Sequence, residues 1–210
     1  MKELDLLKKD WQKNSGSFQQ ISETEIYKMI HKKSSSIVKW ILIISILEIS
    51  FWTFSNLFIN TDDVLRKINH PEIVMALEFL TYFNYVVVLI FVYIFYKNYK
   101  TISTTVATKS LMSAILKTRK TVQYYVWYNL GMIVITAILS FFIAFVYNPD
   151  MEFLREKLAL NGRAMFVTIG ILFLVILGFF GLFWCFYRVI YGTLLRRLYT
   201  NYKELKKIDF

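Results

Sequence analysis

Two glutamates lie inside long uncharged stretches of the sequence, where a carboxylate is the residue most able to do chemistry. Glu48 is the only charged residue in 40–61, and Glu78 is the only one in 73–96. If both stretches cross a membrane as helices, the carboxylates differ in depth by only ~8 Å. An ionised carboxylate there costs at least about 2.5–3.5 kcal/mol, so both are expected to face protein or water, or to be protonated.

This candidate intramembrane polar site has two interpretations. In the first, Glu48 and Glu78, with Asn84 as a polar neighbour, handle a proton or a cation. In the second, protonated glutamates only hold helices together, through hydrogen bonds to side chains such as Ser45 or Thr81 or to a partner subunit. Both remain open because buried polar groups serve either purpose.

No other group of residues predicts a catalytic or metal-binding site. The two histidines, His31 and His70, are expected on opposite sides of the membrane, so they cannot share a metal. Cys185 is the single cysteine, which excludes an intramolecular disulfide and a cysteine-rich metal site. The sequence contains no HExxH, CxxC, GxSxG or P-loop motif. We therefore expect no enzymatic activity, no catalytic residue, no cofactor and no bound metal.

The elements that must position the glutamates are predicted to be four transmembrane helices. The stretches 121–149 and 164–187 carry no charge, although 19% of the 210 residues are charged and 56% are hydrophobic. Helices of a soluble globule keep one polar face, so this segregation excludes a soluble enzyme, a secreted disulfide scaffold and a disordered chain. The predicted fold is an all-α integral membrane protein with spans at about 40–59, 73–96, 124–147 and 164–191.

The basic residues predict the topology. Segments 1–39, 97–120 and 188–210 contain 8, 6 and 6 lysines and arginines, whereas 62–72 and 150–163 contain 2 and 3. By the positive-inside rule, both termini are expected in the cytoplasm. The net charge of +10 also attracts anionic lipid headgroups, so the lipid bilayer is an expected partner. Nucleic-acid binding is not expected because no aromatic platform accompanies the basic residues.

Aromatic residues support the ends of the spans on the predicted cytoplasmic side. Tyrosine and tryptophan are enriched at membrane–water interfaces. Seven of them are expected at the inner interface: Trp40, Tyr93, Tyr96, Tyr124, Trp127, Tyr187 and Tyr191.

The predicted domain organisation has three parts. Residues 1–36 form a cytoplasmic amphipathic tail of two short helices, 37–191 form the four-helix transmembrane domain, and 192–210 form a basic cytoplasmic tail. A basic cytoplasmic loop at 97–123 is predicted to connect the second and third spans. Because it lacks proline and glycine, either the two helices extend into the cytoplasm or a basic helix lies along the inner leaflet.

Two features of the N-terminal tail predict its structure. Leu4, Leu7 and Trp11 share one helix face, which predicts a membrane-surface anchor or a docking face for a partner. Ser22 and Glu25 have the spacing of a capping box and predict the start of the second short helix.

Small residues and turn signals mark the second half of the chain. Thr136, Ser140 and Ala144 form a stripe that predicts close helix packing, either within the chain or at a dimer face. Gly170, Gly178 and Gly181 reduce the side-chain bulk of the fourth span. Asn148 followed by proline predicts a short outer helix that ends at 161–162.

The segments LDLLKKDWQ (4–12) and EIYKMIHKKSSSIVKWILIISILEISFW (25–52) resemble an uncharacterised family of small four-span bacterial inner-membrane proteins with an LKxxW-type tail. Members often lie near genes for extracytoplasmic-function sigma factors, so the resemblance implies a regulatory or envelope-stress role. Some carry the label of carotene monooxygenases. This sequence contradicts that label, because those enzymes hold iron with four histidines and this chain has two. The resemblance supplies no functional residues.

The sequence therefore predicts a non-enzymatic, membrane-embedded accessory, scaffold or regulatory subunit. It would engage a protein partner or a second copy of itself through its cytoplasmic face. The alternative is a small proton- or cation-coupled transporter or channel subunit that uses Glu48 and Glu78. The expected location is the bacterial inner membrane, with several spans and both termini in the cytoplasm.

Overall fold

The computed structural model of the chain describes residues 22–58 and 70–208. Secondary structure in these two ranges is entirely helical. The helices are α1 (Glu23–Phe58), α2 (Pro71–Thr104), α3 (Thr108–Tyr147), α4 (Glu152–Ala159) and α5 (Gly162–Ile208), with one 3-10 turn at Pro149–Met151. The predicted face of Leu4, Leu7 and Trp11 lies outside the described residues.

Four of these helices are long and apolar enough to cross a membrane, which confirms the predicted all-α fold with four long apolar helices. They contain 36, 34, 40 and 47 residues. At a rise of 1.5 Å per residue, α5 is about 70 Å long. This length is more than twice the ~30 Å thickness of the hydrocarbon core, so α5 extends well beyond any single crossing.

The four long helices form a ring in the order α1, α2, α3, α5, in which each helix packs against the next and α5 closes against α1. Buried residues follow each other mostly at intervals of three or four, which places them on one face of each helix. On α1 these residues are Ile30, Ser34, Val38, Ile41 and Ser45, and on α5 they include Tyr187, Tyr191, Leu198, Asn201 and Leu205.

Two hydrophobic clusters fill the bundle at different levels. The first cluster is rich in aromatic rings and comprises Ile41, Val88, Phe95, Val122, Tyr125, Leu130, Tyr187 and Tyr191. The second cluster comprises Ile30, Val38, Ile102, Leu111, Ile115, Leu198 and Leu205. The second cluster lies at the end of the bundle that carries most of the basic residues. We call this end, formed by 23–39, 97–104, 108–120 and 188–208, the basic extension.

Residues 97–123 are not a loop, because they form the end of α2 and the start of α3. The structure continues α2 to Thr104 and begins α3 at Thr108, so only three residues connect them. The absence of proline and glycine allows the helices to continue. Burial of Ile102 and Leu111 in the second cluster holds the two helix ends together. The Tyr27 hydroxyl donates to the Thr105 carbonyl at 3.2 Å and fastens this turn to α1.

The predicted separate helix in the N-terminal tail is part of α1. Its capping box is present, since the Ser22 amide donates to Glu25 Oε2 at 3.2 Å and the Glu25 amide donates to Ser22 Oγ at 3.3 Å. The helix then passes through residue 36 without a break. Ser34 is buried there and its Oγ lies 3.0 Å from Nδ2 of Asn201. The predicted boundary at 191–192 likewise lies inside α5.

A short helix, α4, follows Asn148 as predicted and is preceded by the 3-10 turn. The Asn148 side chain accepts a hydrogen bond from the Asp150 amide at 3.0 Å. Arg155 of α4 donates to the carbonyl of Phe145 at 2.9 Å, and also to that of Val146. These bonds satisfy carbonyls at the end of α3, which have no partner within their own helix.

Candidate functional site

The side chain of Glu48 accepts hydrogen bonds from three tyrosines on two other helices. Tyr125 of α3 donates to Oε2 at 2.8 Å, and Tyr191 of α5 donates to the same oxygen at 3.2 Å. Tyr187 of α5 donates to Oε1. A carboxylate offers about four acceptor positions, so three phenols fill most of its capacity. Hydrogen bonds to a charged acceptor are roughly twice as strong as neutral ones, which stabilises the ionised form of Glu48.

Helix periodicity explains why these four residues meet. Glu48 continues the inward series of α1, three residues after the buried Ser45. Tyr187 and Tyr191 are four residues apart and therefore share one face of α5. Tyr125 lies three residues after the buried Val122 of α3. Each residue occupies a core position of its own helix, so the polar cluster lies at the bundle axis.

Aromatic rings surround the cluster. The ring of Tyr191 lies 5.8 Å from that of Tyr125 and 5.9 Å from that of Tyr187, measured between centroids. Phe95 of α2 meets Tyr125 edge-on at 5.3 Å. Such contacts restrict the rotamers of the tyrosines, so their hydroxyls are held in position around Glu48 before any ligand binds.

A cavity of about 410 Å³ opens beside Glu48. On α3 its lining begins at Tyr125 and ends at Ser140, which is ~22 Å along the helix axis. The lining is mixed. Polar side chains come from Glu48, Thr81, Asn84, Tyr85, Tyr125, Asn129, Thr136, Ser140 and Tyr187, and the larger apolar ones from Ile49, Trp52, Leu77, Leu80, Val88, Met132, Ile133 and Phe183.

Asn84, one of the predicted site residues, lines the same cavity as Glu48. Its Oδ1 accepts a hydrogen bond from the Tyr128 hydroxyl at 3.0 Å. Asn129 also lines the cavity and donates to the Tyr125 carbonyl at 2.9 Å. The structure thus brings Glu48 and Asn84 to one site, as polar groups on facing helices.

Glu78 does not share this site. It is exposed on the outer face of α2 and is not among the residues that line the cavity. The reason is the helical phase, since the inward residues of α2 are Leu77, Thr81 and Asn84, and Glu78 is rotated by about 100° from Leu77. The pairing of Glu48 with Glu78 is therefore absent from this arrangement.

The small-residue stripe, predicted to pack helices within the chain or at a dimer face, lies partly along the cavity. Thr136 and Ser140 are exposed and line the cavity, while Ala144 is half-buried and lies beyond it. The stripe therefore does not hold two helices of the chain in close contact over its whole length. A methyl group added at Gly170, Gly178 or Gly181 would meet nothing within 4 Å, so these glycines mediate no close approach among the described residues either.

Tyr187 and Tyr191, two of the aromatic residues expected at the inner interface, face the core of the bundle. They are 3% and 1% exposed and point to Glu48, whereas Trp40, Tyr93 and Trp127 are more than half exposed. The roles of Tyr125, Tyr187 and Tyr191 were missed. The sequence feature that could have identified them is their spacing, which places each tyrosine on the same helix face as the apolar core residues.

The two histidines lie at opposite ends of the bundle. His70 precedes α2, where its Nδ1 lies 2.9 Å from Oε1 of Glu72 and its ring lies 4.7 Å from that of Tyr147. His31 lies in the basic extension with its ring 6.0 Å from Tyr27. Neither residue contributes to the cavity.

Among residues 22–58 and 70–208, no lysine, arginine or histidine forms an ion pair with Glu48. The three phenols stabilise the carboxylate but supply no positive charge. The same ranges contain no group of three or more His, Cys, Asp and Glu side chains that could hold a metal ion. Glu48 is the single carboxylate in the lining of this cavity.

The chain belongs to the family described as a domain of unknown function, DUF8845, which matches residues 24–210. This match agrees with the resemblance to an uncharacterised family and includes the segment 25–52 that carried part of it. The first segment, 4–12, lies outside the matched residues. No curated protein and no solved structure matches the chain.

Proposed function

We propose that this protein is a small, non-enzymatic membrane transporter that binds a proton or another cation at Glu48. One observation carries the proposal: a carboxylate at the bundle axis faces a 410 Å³ cavity and has no cationic partner among the described side chains. A buried charge without a countercharge is costly in a membrane, and such residues commonly belong to ion or substrate pathways.

The depth of the cavity supports transport. Its lining on α3 covers ~22 Å, which is most of the ~30 Å hydrocarbon thickness, and Glu48 lies at one end of it. Beyond Glu48, the first cluster and then the second cluster fill the bundle with buried side chains. A cavity on one side of the binding site and packed side chains on the other favour a transporter with alternating access over an open channel.

The proposal includes a location and an orientation. The surface of the basic extension carries exposed lysines and arginines, among them Lys32, Lys97, Lys100, Lys117, Lys120, Arg196, Arg197 and Lys203. By the positive-inside rule the extension lies in the cytoplasm, with both termini on that side and the cavity directed outward. We assign the chain to a bacterial inner membrane on the resemblance given above.

The test is a current measurement on proteoliposomes adsorbed to a solid-supported membrane. Jumps in pH and in the concentrations of Na⁺, K⁺ and an organic ammonium ion are applied to the wild-type protein, to Glu48→Gln and to Glu78→Gln. At least one jump is expected to give a current in the wild type that falls to a tenth or less in Glu48→Gln. Glu78→Gln is the matched control, because it removes an exposed carboxylate outside the cavity, and it is expected to behave as the wild type. Absence of current in the wild type for every jump contradicts the proposal.

A second candidate is the accessory, scaffold or regulatory subunit that engages a partner through its cytoplasmic face. The observation that favours it is the basic extension, which projects beyond the length needed to cross a membrane and carries a one-sided positive charge. Such a surface fits an acidic protein partner or anionic lipid headgroups. Purification of the tagged full-length protein in mild detergent tests it. A stoichiometric companion that is lost after charge reversal at Arg196, Arg197 and Lys203 supports this function, and a protein that purifies alone contradicts it.

A further inference from the structure

We propose that the ligand of the cavity is an organic ammonium ion with an apolar body. This inference rests on the proposed cation site at Glu48 and assigns the chemical class of its ligand. It is carried by the combination of one carboxylate, several aromatic rings and several large apolar side chains in the mixed lining of the same cavity.

The oxygen atoms around Glu48 are poorly suited to a metal ion. Ca²⁺ takes six to eight oxygen ligands and Mg²⁺ requires a near-octahedral set. Glu48 is the one carboxylate in the cavity lining. The hydroxyls of Tyr125, Tyr187 and Tyr191, which donate to it, and Oδ1 of Asn84, which accepts from Tyr128, are uncharged. These groups neutralise no charge and form no further carboxylate cluster. An ammonium ion needs one anionic partner and no ordered coordination shell.

The aromatic rings supply the second part of an ammonium site. Trp52, Tyr125, Phe183 and Tyr187 line the cavity together with Glu48. The rings of Trp52 and Phe183 lie 6.0 Å apart, tilted by 36°. Faces of tryptophan, tyrosine and phenylalanine attract cations within about 6 Å of the ring centroid, and the attraction is stronger where water is excluded. Aromatic rings with a carboxylate are the usual means of recognising organic ammonium groups.

The size and lining of the cavity indicate the rest of the ligand. A volume of about 410 Å³ lies within the range of small-molecule sites, about 300–1,000 Å³, and far exceeds what a proton or a bare metal ion occupies. Leu80, Val88 and Ile133 line it alongside the polar groups. The charged group would therefore bind near Glu48, and the apolar body would lie along the inner faces of α2 and α3.

Equilibrium binding of radiolabelled benzyltrimethylammonium to the full-length protein in nanodiscs tests this inference. Saturable binding is expected, and it should weaken about tenfold or more in Glu48→Gln because the buried countercharge is lost. Trp52→Leu should weaken it about fivefold through loss of a cation–π contact. Glu78→Gln and Trp40→Leu are matched controls outside the cavity and should bind as the wild type. Size-exclusion profiles of all variants verify that each is folded.

Competition experiments distinguish recognition of the ligand's charge from recognition of its shape. Neopentylbenzene, in which carbon replaces the charged nitrogen, should not displace the ligand, and neither should NaCl or KCl at equal ionic strength. The inference is overturned if binding is not saturable, if Glu48→Gln binds equally well, or if neopentylbenzene competes as strongly as unlabelled ligand. A Glu48-dependent current with protons or metal ions but no ammonium binding would overturn this inference and leave the proposed transport function standing. Glu48-dependent binding without any current would contradict the proposed transport function and leave this inference standing.

Discussion

The hydroxyl of Tyr125 lies 2.8 Å from Oε2 of Glu48, and this hydrogen bond joins α3 to α1 across the centre of the bundle. The two helices are diagonal neighbours in the ring, whereas each packs extensively against α2 and α5. A bond between diagonal helices at a cavity wall can change when the cavity is occupied. The proposed binding of a cation at Glu48 would therefore affect the arrangement of the long helices.

The tyrosine hydroxyls should stabilise the bundle through Glu48. Tyr125→Phe removes one charge-assisted hydrogen bond and is expected to lower the free energy of unfolding by about 1.5–3 kcal/mol. The same change in a Glu48→Ala background should cost less than half as much, because the acceptor is already absent. Thermal unfolding in detergent, followed by size-exclusion chromatography, gives the four stabilities of this cycle.

Tyr124→Phe is the control for that cycle, since Tyr124 is adjacent to Tyr125 and 67% exposed. It should leave the melting temperature unchanged in both backgrounds. Equal losses for Tyr125→Phe with and without Glu48 would show that the hydroxyl stabilises the protein independently of the carboxylate.

In the basic extension, the contribution of buried Ser34 to stability should likewise depend on the presence of its partner Asn201. Asn201 donates to Ser34 at 3.0 Å, and the two residues are 6% and 0% exposed. Ser34→Ala leaves the amide of Asn201 without this acceptor and is expected to cost about 1–3 kcal/mol. The double variant Ser34→Ala, Asn201→Leu should recover much of that loss, because replacing both partners by apolar groups can be nearly neutral. A double variant less stable than both single ones would contradict this account of the pair.

The orientation of the bundle can be tested with two single cysteines in a Cys185→Ser background. Val106 lies in the turn between α2 and α3 and is 85% exposed, and Leu160 follows α4 and is 90% exposed. In intact cells, a membrane-impermeant maleimide should label Leu160→Cys and should reach Val106→Cys only after the membrane is permeabilised. The opposite pattern would place the basic extension outside and would contradict the positive-inside assignment.

Much of the fold could be predicted because the charges mark the ends of apolar helices. The four long helices, the start of α2 at Pro71, the capping box at Ser22 and the cap at Asn148 all follow from local sequence chemistry. The boundaries predicted at 36 and 191 fall inside α1 and α5, and α2 and α3 both extend into 97–123. Charge marks where a helix leaves the hydrocarbon, but it does not mark where the helix ends.

The candidate site could be predicted only in part. Glu48 and Asn84 stood out because polar groups in apolar stretches are costly and few. The three tyrosines could not be distinguished from interfacial aromatics, since tyrosine is common at both the core and the interface of membrane bundles. Core and interfacial tyrosines differ in which face of the helix carries them, and that face is known only once the helices are packed together. Tyr187 and Tyr191 lie 139 and 143 residues from Glu48, so only the packing of the bundle reveals that they meet it.

Infrared difference spectroscopy tests most directly whether the carboxylate of Glu48 binds the cation. A film of reconstituted protein is perfused alternately with buffer containing the cation that gives a current and with buffer containing a neutral osmolyte. We predict a difference band from a glutamate carboxylate in the wild type and in Glu78→Gln, and its loss in Glu48→Gln. A band that persists unchanged in Glu48→Gln, or that disappears in Glu78→Gln instead, would contradict the assignment of Glu48 as the cation site.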